Sequence, residues 1–61
     1  MNITAKIQTA VTAVGEAERL TVEVERELFS WQGREAMVAL VQIRQAHQRL
    51  EYLLNIHREA A

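Results

Sequence analysis

Few side chains in this 61-residue chain are of the types that perform acid–base, nucleophilic or metal chemistry. His47 and His57 stand ten residues apart, so a helix would separate them by about 15 Å and they could not share one ion. His47 and Glu51 lie one helical turn apart, but two ligands make only a weak metal site. Ser30, the single Ser, has no His near it in the sequence. The residues therefore indicate no catalytic centre, metal site or cofactor, and both His are interpreted as hydrogen-bonding groups at the edge of a helix interface.

The composition is typical of a small helical protein. Hydrophobic residues make up 49% of the chain, there is no Pro, and helix-forming residue types dominate. A chain this short buries little surface, and because it has no Cys, self-association is the remaining way to gain stability. The formal net charge of −1 creates no global field that would attract nucleic acid. We therefore expect a single non-catalytic domain that associates with itself.

The hydropathy pattern predicts a cytoplasmic location and no membrane partner. No apolar run approaches the ~18 residues that a membrane-spanning helix needs. The first residues also lack the compact apolar core of a signal peptide.

An apolar heptad stripe runs through the first half of the chain. Its spacing alternates between four and three residues, which is typical of an amphipathic helix with one narrow seam. The stripe passes through Gly15 in phase, so one continuous helix is predicted over about 3–31, with a shorter first helix ending at Gly15 as the alternative. Trp31 is interpreted as the last apolar contact of the seam. The members of the stripe are Ile3, Ile7, Ala10, Val14, Ala17, Thr21, Val24, Leu28 and Trp31.

The second half carries a broader apolar face, which predicts a helix over about 35–59. The first stripe, extended in register, becomes mostly polar after Trp31, so the helical phase breaks near Gly33. Gly is the usual residue just past a helix end because it enters the left-handed conformation freely. A turn is therefore predicted over about 32–34, with Gly33 as its left-handed residue. The broad face consists of Ala36, Ala39, Leu40, Ile43, Ala46, His47, Leu50, Leu53, Leu54 and His57.

The predicted fold is all-α, a two-helix antiparallel hairpin over residues 1–61 that dimerises into a four-helix bundle. A hairpin leaves apolar side chains off its seams, and exposed apolar surface calls for a partner. Two hairpins that form a bundle are the simplest solution. Whether this surface is dimer core or binds another protein stays open at this point. The predicted partner-binding residues are Phe29, Trp31, Met37, Val38, Val41, Tyr52 and Ile56.

The first functional hypothesis is a dimeric helical-hairpin adaptor or inhibitor. It would bind and modulate a regulatory or machine protein, as phage-encoded and accessory bacterial regulators do. The unpartnered apolar residues favour this hypothesis because Met and aromatic side chains are enriched where protein interfaces concentrate their energy.

The second hypothesis is a secretion-associated hairpin. The tripeptide Trp31-Gln32-Gly33 between two amphipathic helices resembles the turn signature of the WXG-type secreted helical hairpins. The resemblance covers these three residues and the general architecture, but both helices are shorter than the family's. The family's C-terminal signal, a Tyr followed by an acidic residue four positions on, is absent because Tyr52 is followed by Ile56. In size and shape, the chain is also similar to the helical-hairpin co-chaperones of type III secretion needles.

The third hypothesis is a helical bundle that binds nucleic acid. Arg44, Arg49 and Arg58 lie on or near one polar ridge of the second helix, and a symmetric dimer would double them. The nearly neutral net charge makes this the least favoured of the three hypotheses.

Overall fold

The structure, a computed structural model, describes residues 2–60. It contains two helices, α1 over Ile3–Glu27 and α2 over Ser30–Ala60. Leu28 and Phe29 connect them. The prediction of an all-α fold with two packed helices is therefore confirmed.

The two helices run antiparallel, as the side-chain hydrogen bonds between them demonstrate. Near the start of α1, Gln8 accepts a hydrogen bond from Arg58 near the end of α2. Towards the middle of both helices, Glu18 contacts His47. The result is an elongated hairpin with extents of 47 × 16 × 11 Å.

Local hydrogen bonds start and support α1. The side chain of Asn2 accepts a bond from the N–H of Ala5 at 2.8 Å, which satisfies one of the free donors at the helix start. The helix continues through Gly15, so the predicted continuous helix is confirmed and the shorter alternative is wrong. Threonine hydroxyls bond back to carbonyls four residues earlier, and these residues are Thr9, Thr12 and Thr21.

The turn lies earlier in the chain than the predicted range of 32–34. Because α1 ends at Glu27, the predicted first helix was too long, and α2 correspondingly begins before the predicted start. Leu28 is extended, with φ −106° and ψ 150°, and its N–H still donates to the carbonyl of Glu25. The left-handed residue is Ser30, with φ 60°. The turn is therefore made by a residue type that adopts this conformation at an energetic cost.

Gly33 is not the turn residue that the sequence analysis predicted. It lies inside α2 with an ordinary negative φ, and its N–H donates to the carbonyl of Phe29 at 3.3 Å. A Cβ atom built on Gly33 would lie 3.0 Å from the carbonyl oxygen of Leu28. Gly is therefore useful here because it lets the chain end of α1 approach the start of α2 closely.

The face of α1 that meets α2 keeps most of the predicted stripe but is wider than it. The stripe members that are buried or half-buried are Ile7, Ala10, Val14, Ala17, Thr21 and Leu28. The stripe members Ile3 and Val24 are exposed, and Trp31 belongs to α2 and is also exposed. Glu18 and Glu25 are half-buried, because the row that faces α2 includes polar positions that an apolar pattern does not reveal. Val11, Glu18 and Glu25 lie beside the stripe and widen this face.

The face of α2 that meets α1 follows one of the two predicted rows. Ala46 and Leu53 belong to the other row and are exposed, so the broad face is narrower in the hairpin than predicted. The row that packs on α1 is Ala36, Leu40, Ile43, His47, Leu50, Leu54 and His57.

The core of the isolated hairpin is small. Among the described residues, four side chains are buried, and these are Ile7, Ala36, Leu40 and Leu54. Each of the two helices has one face against the other and the rest in solvent, so much apolar surface is uncovered. Within residues 2–60, neither helix combines the length and the apolar character needed to cross a lipid bilayer.

Candidate functional site

An apolar strip lies along α2 on the side away from α1, and we call it the outer face. Val38 and His47 are nine residues apart, as are Val41 and Leu50, and this separation is about two and a half helical turns. Because His47 and Leu50 point into the hairpin, Val38 and Val41 lie on the opposite side of the helix. The apolar members of the outer face are Met37, Val38, Val41, Tyr52 and Ile56, all of them exposed.

The first half of the outer face forms a shallow groove. Met37, Val38 and Val41 supply its apolar wall, and Gln42 and Gln45 close it on the polar side. The carboxamides of the two Gln lie in the middle of the helix, between the apolar cluster at Val38 and the one at Tyr52. The outer face is therefore apolar towards both ends and polar near its centre, where the exposed Arg49, one turn after Gln45, adds a positive charge.

Two aromatic side chains project at the turn. Phe29 is the most exposed large apolar residue among those described, at 80%, and Trp31 is 61% exposed. Trp31 lies seven residues before Val38, two turns along α2, so it continues the line of the outer face. The interpretation of Trp31 as the last apolar contact of the seam was therefore wrong.

All seven predicted partner-binding residues are exposed, but they do not form one patch. Trp31 and the apolar members of the outer face share one side of α2, whereas Phe29 stands apart in the connection between the helices. Sequence reasoning missed Leu20, which is exposed on α1 beside Val24. Leu20 is an apolar residue outside the heptad stripe, and these two facts could have predicted its exposure.

A polar cluster crosses the middle of the hairpin seam. The Nδ1 atom of His47 lies 3.2 Å from Oε1 of Glu18, and its Nε2 atom lies 2.9 Å from Oε1 of Glu51. Arg44 donates from Nε to the second carboxylate oxygen of Glu18 at 3.4 Å. A neutral imidazole donates from one ring nitrogen only, so the tautomer decides which of the two carboxylates receives that hydrogen bond.

The electrostatics of Glu18 follow from these contacts. The hydrogen bond with His47 is the main cause that holds the pKa of Glu18 below its ordinary value of 4.5. Partial desolvation between the helices works in the opposite direction, and the guanidinium of Arg44 lowers the pKa further. Glu18 is therefore a carboxylate whose charge is matched across the helix interface.

The polar cluster has the features of a structural contact. Within residues 2–60, no group of three or more His, Cys, Asp or Glu side chains is arranged to hold a metal ion. Both ring nitrogens of His47 contact carboxylates, and the side chain is 25% exposed. The expected hydrogen-bonding role of His47 at the helix interface is therefore confirmed.

The predicted arginine ridge is partly committed to the hairpin. Arg44 bonds Glu18, and Arg58 donates from Nη2 to Oε1 of Gln8 at 2.6 Å. These bonds direct two of the three ridge side chains towards α1. The carboxylate of Glu18 balances the charge of Arg44, whereas the neutral amide of Gln8 orients Arg58 without balancing its charge, so the ridge offers one unbalanced charge fewer than its sequence indicates.

The chain matches no known protein family, no curated protein and no solved structure. Its function has to be inferred from its own surfaces.

Proposed function

We propose that this chain is a non-catalytic interaction module, a dimeric helical-hairpin adaptor or inhibitor of a regulatory or machine protein. The observation that carries the proposal is the exposed outer face of α2, directly opposite the seam that closes the hairpin. A helix that is apolar on two opposite sides needs a neighbour on each side, because exposed apolar patches mark interaction sites.

Dimerisation into a four-helix assembly is part of the proposal. The small buried core supports it, because a chain of about 60 residues gains little stability from one hairpin seam. Burying the outer face would remove five large apolar side chains from water, each worth roughly 1.5–3 kcal/mol when fully covered. The protein partner would then use apolar groups that the dimer leaves accessible, with Phe29 and Trp31 at the turn as the leading candidates.

The other two functional classes receive less support. The Trp31-Gln32-Gly33 tripeptide lies inside α2, after the turn, so its resemblance to a turn signature does not extend to its position in the hairpin. For nucleic-acid binding, the ion pair of Arg44 with Glu18 weakens the case for a basic ridge.

Affinity capture from the native host tests the proposed function. Tagged chain would be compared with a Phe29→Ser/Trp31→Ser variant, and circular dichroism would establish that both are equally helical. We expect one protein in stoichiometric amount, insensitive to nuclease, and lost with the double variant. Recovery that depends on nucleic acid would instead favour the third class, and equal recovery by both chains would remove the aromatic pair from the binding surface.

A further inference from the structure

We infer that the outer face of α2 is occupied by the same face of a second copy, with the two α2 helices packed antiparallel. This inference rests on the dimeric part of the proposed function and specifies its interface, orientation and register. The two-fold axis would pass between Gln45 and Gln48, near the middle of the strip. The surface is then isologous, so each contact occurs twice.

In this register, the apolar members of the strip meet one another. Val41 faces Tyr52 of the partner subunit, and Met37 approaches Ile56 of the partner subunit. At the polar centre, Gln45 lies beside Gln48 of the partner subunit, where carboxamides can bond each other, and Arg49 lies at the rim, where its charge can stay in water. A single slip by one turn would place apolar groups against the central amides, so the polar centre favours one register.

Charge complementarity determines the orientation. Arg34 lies at one end of the outer face and Glu59 at the other, both exposed, and neither forms an ion pair within the part of the chain that is described. Antiparallel packing brings Arg34 close to Glu59 of the partner subunit at both ends of the interface. Parallel packing would instead place Arg34 against its own copy, and like charges in that position repel.

The positions of Arg34 and Glu59 within α2 add a second reason. A helix favours acidic side chains near its N-terminus and basic ones near its C-terminus. Arg34, near the start of α2, and Glu59, near its end, are both placed against this preference. An ion pair between Arg34 and Glu59 of the partner subunit would offset the unfavourable interaction of each charge with the dipole of its own helix.

The resulting assembly is a row of four helices in the order α1, α2, partner α2 and partner α1. The order follows because the seam and the outer face lie on opposite sides of α2, whereas a square bundle needs two faces about a quarter turn apart. The two turns lie at opposite ends of the row. Phe29 and Trp31 at the turn, with Leu20 and Val24 on α1, stay uncovered in both subunits, which leaves two equivalent surfaces for another protein.

Charge reversal tests the orientation in the full chain by sedimentation equilibrium. The Arg34→Glu variant should weaken the dimer about tenfold because it places Glu opposite Glu at both ends. The Arg34→Glu/Glu59→Arg double variant should restore the wild-type dissociation constant within about twofold. Both substitutions suit the helix dipole, so a loss of dimer cannot be a loss of helix. Failure of the double variant to restore the dimer would overturn the antiparallel pairing.

Cross-linking supplies an independent readout, because the chain has no Cys of its own. A Gln48→Cys variant lies close to the two-fold axis and should be captured as a dimer by a short bis-maleimide. In a Val38→Cys variant, the two thiols would be roughly 25 Å apart, so it should stay uncaptured. Equal capture of both variants indicates parallel packing and would overturn the inference. A wild-type chain that sediments as a monomer would also overturn it, while specific capture of a host protein would still support the interaction function.

Discussion

The imidazole of His47 lies between two carboxylates, with Glu18 of α1 at 3.2 Å from Nδ1 and Glu51 of its own helix at 2.9 Å from Nε2. The contact with Glu18 joins the two helices near the middle of their seam, within the polar cluster that also includes Arg44. A buried or half-buried polar pair of this kind is satisfied in one register only, because any slip leaves a charge without its partner. We therefore expect the His47–Glu18 contact to select the register of the hairpin.

Replacing Glu18 tests this contact. Glu18→Gln should lower the thermal midpoint of the chain more than Glu23→Gln does. Glu18 connects the helices, whereas Glu23 bonds Arg19 on its own helix and is 56% exposed. The two substitutions remove the same charge from the same helix, so Glu23→Gln is the control. Equal midpoints for the two variants would contradict a role for Glu18 in holding the helices together.

The lowered pKa of Glu18 predicts a pH dependence. Because the pKa is lower in the folded chain than its ordinary value of 4.5, the unfolded chain binds the proton more readily. The stabilisation from Glu18 is therefore fully present above that ordinary value and is lost as the pH falls through the folded-state pKa. Urea unfolding of the wild type and of Glu18→Gln, from about pH 5.5 down to about pH 2.5, should show their difference shrinking towards the acid end. A constant difference across this range would contradict the assignment.

The left-handed conformation of Ser30 predicts a stabilising substitution. With φ at 60°, Ser30 adopts a backbone conformation that L-residues disfavour and that Gly adopts freely. Ser30→Gly should therefore raise the free energy of unfolding by about 0.5–1 kcal/mol, measured by urea titration. Ser30→Val is the contrasting variant, because a β-branched residue should lower the free energy of unfolding at the same position. A destabilised Gly variant would show that the turn does not depend on this conformation.

The two Gly residues predict opposite results for the same substitution. A Cβ at Gly15 would meet Cε1 of His47 at 3.7 Å, an ordinary contact, so Gly15→Ala should stabilise the chain by about 1 kcal/mol through helix propensity. A Cβ at Gly33 would lie 3.0 Å from the carbonyl oxygen of Leu28, a tight contact that requires this backbone carbonyl to shift by a few tenths of an ångström. Gly33→Ala should therefore destabilise the chain by about 1 kcal/mol or more. Urea titration of both variants checks the signs, and a stabilised Gly33→Ala chain would mean that Leu28 moves aside easily.

Two Val residues of nearly equal exposure allow the outer face of α2 to be compared with the exposed surface of α1. Val41 on α2 is 47% exposed and Val24 on α1 is 48% exposed. Val41→Lys should weaken the dimer at least about tenfold because a charge would be buried in the interface, whereas Val24→Lys should leave it within about twofold. Sedimentation velocity across a concentration series measures both. A dimer weakened equally by the two substitutions would point to an interface on α1 as well.

Much of the architecture could be predicted from the sequence. The heptad spacing around Ile7 and the row around Leu40 indicated two amphipathic helices, and the change of helical phase between them indicated a hairpin. The apolar groups left over, such as Val41 and Tyr52, were correctly expected to be exposed in a single hairpin. These features depend on periodicity, and the geometry of the α-helix converts spacing directly into direction.

Periodicity in the sequence alone determined that the chain forms two amphipathic helices and that α2 keeps apolar side chains on the side away from the seam. Only the tertiary structure decided that the turn lies at Leu28 and Phe29, that Ser30 takes the left-handed conformation, and that α1 turns Glu18 towards His47. The physical reason is that a Gly in a sequence can provide either a positive φ or a close approach between two backbone segments, and the local sequence around Gly33 does not distinguish these two roles. Likewise, an apolar pattern cannot place a carboxylate in a helix interface, because the cation that satisfies it comes from the other helix.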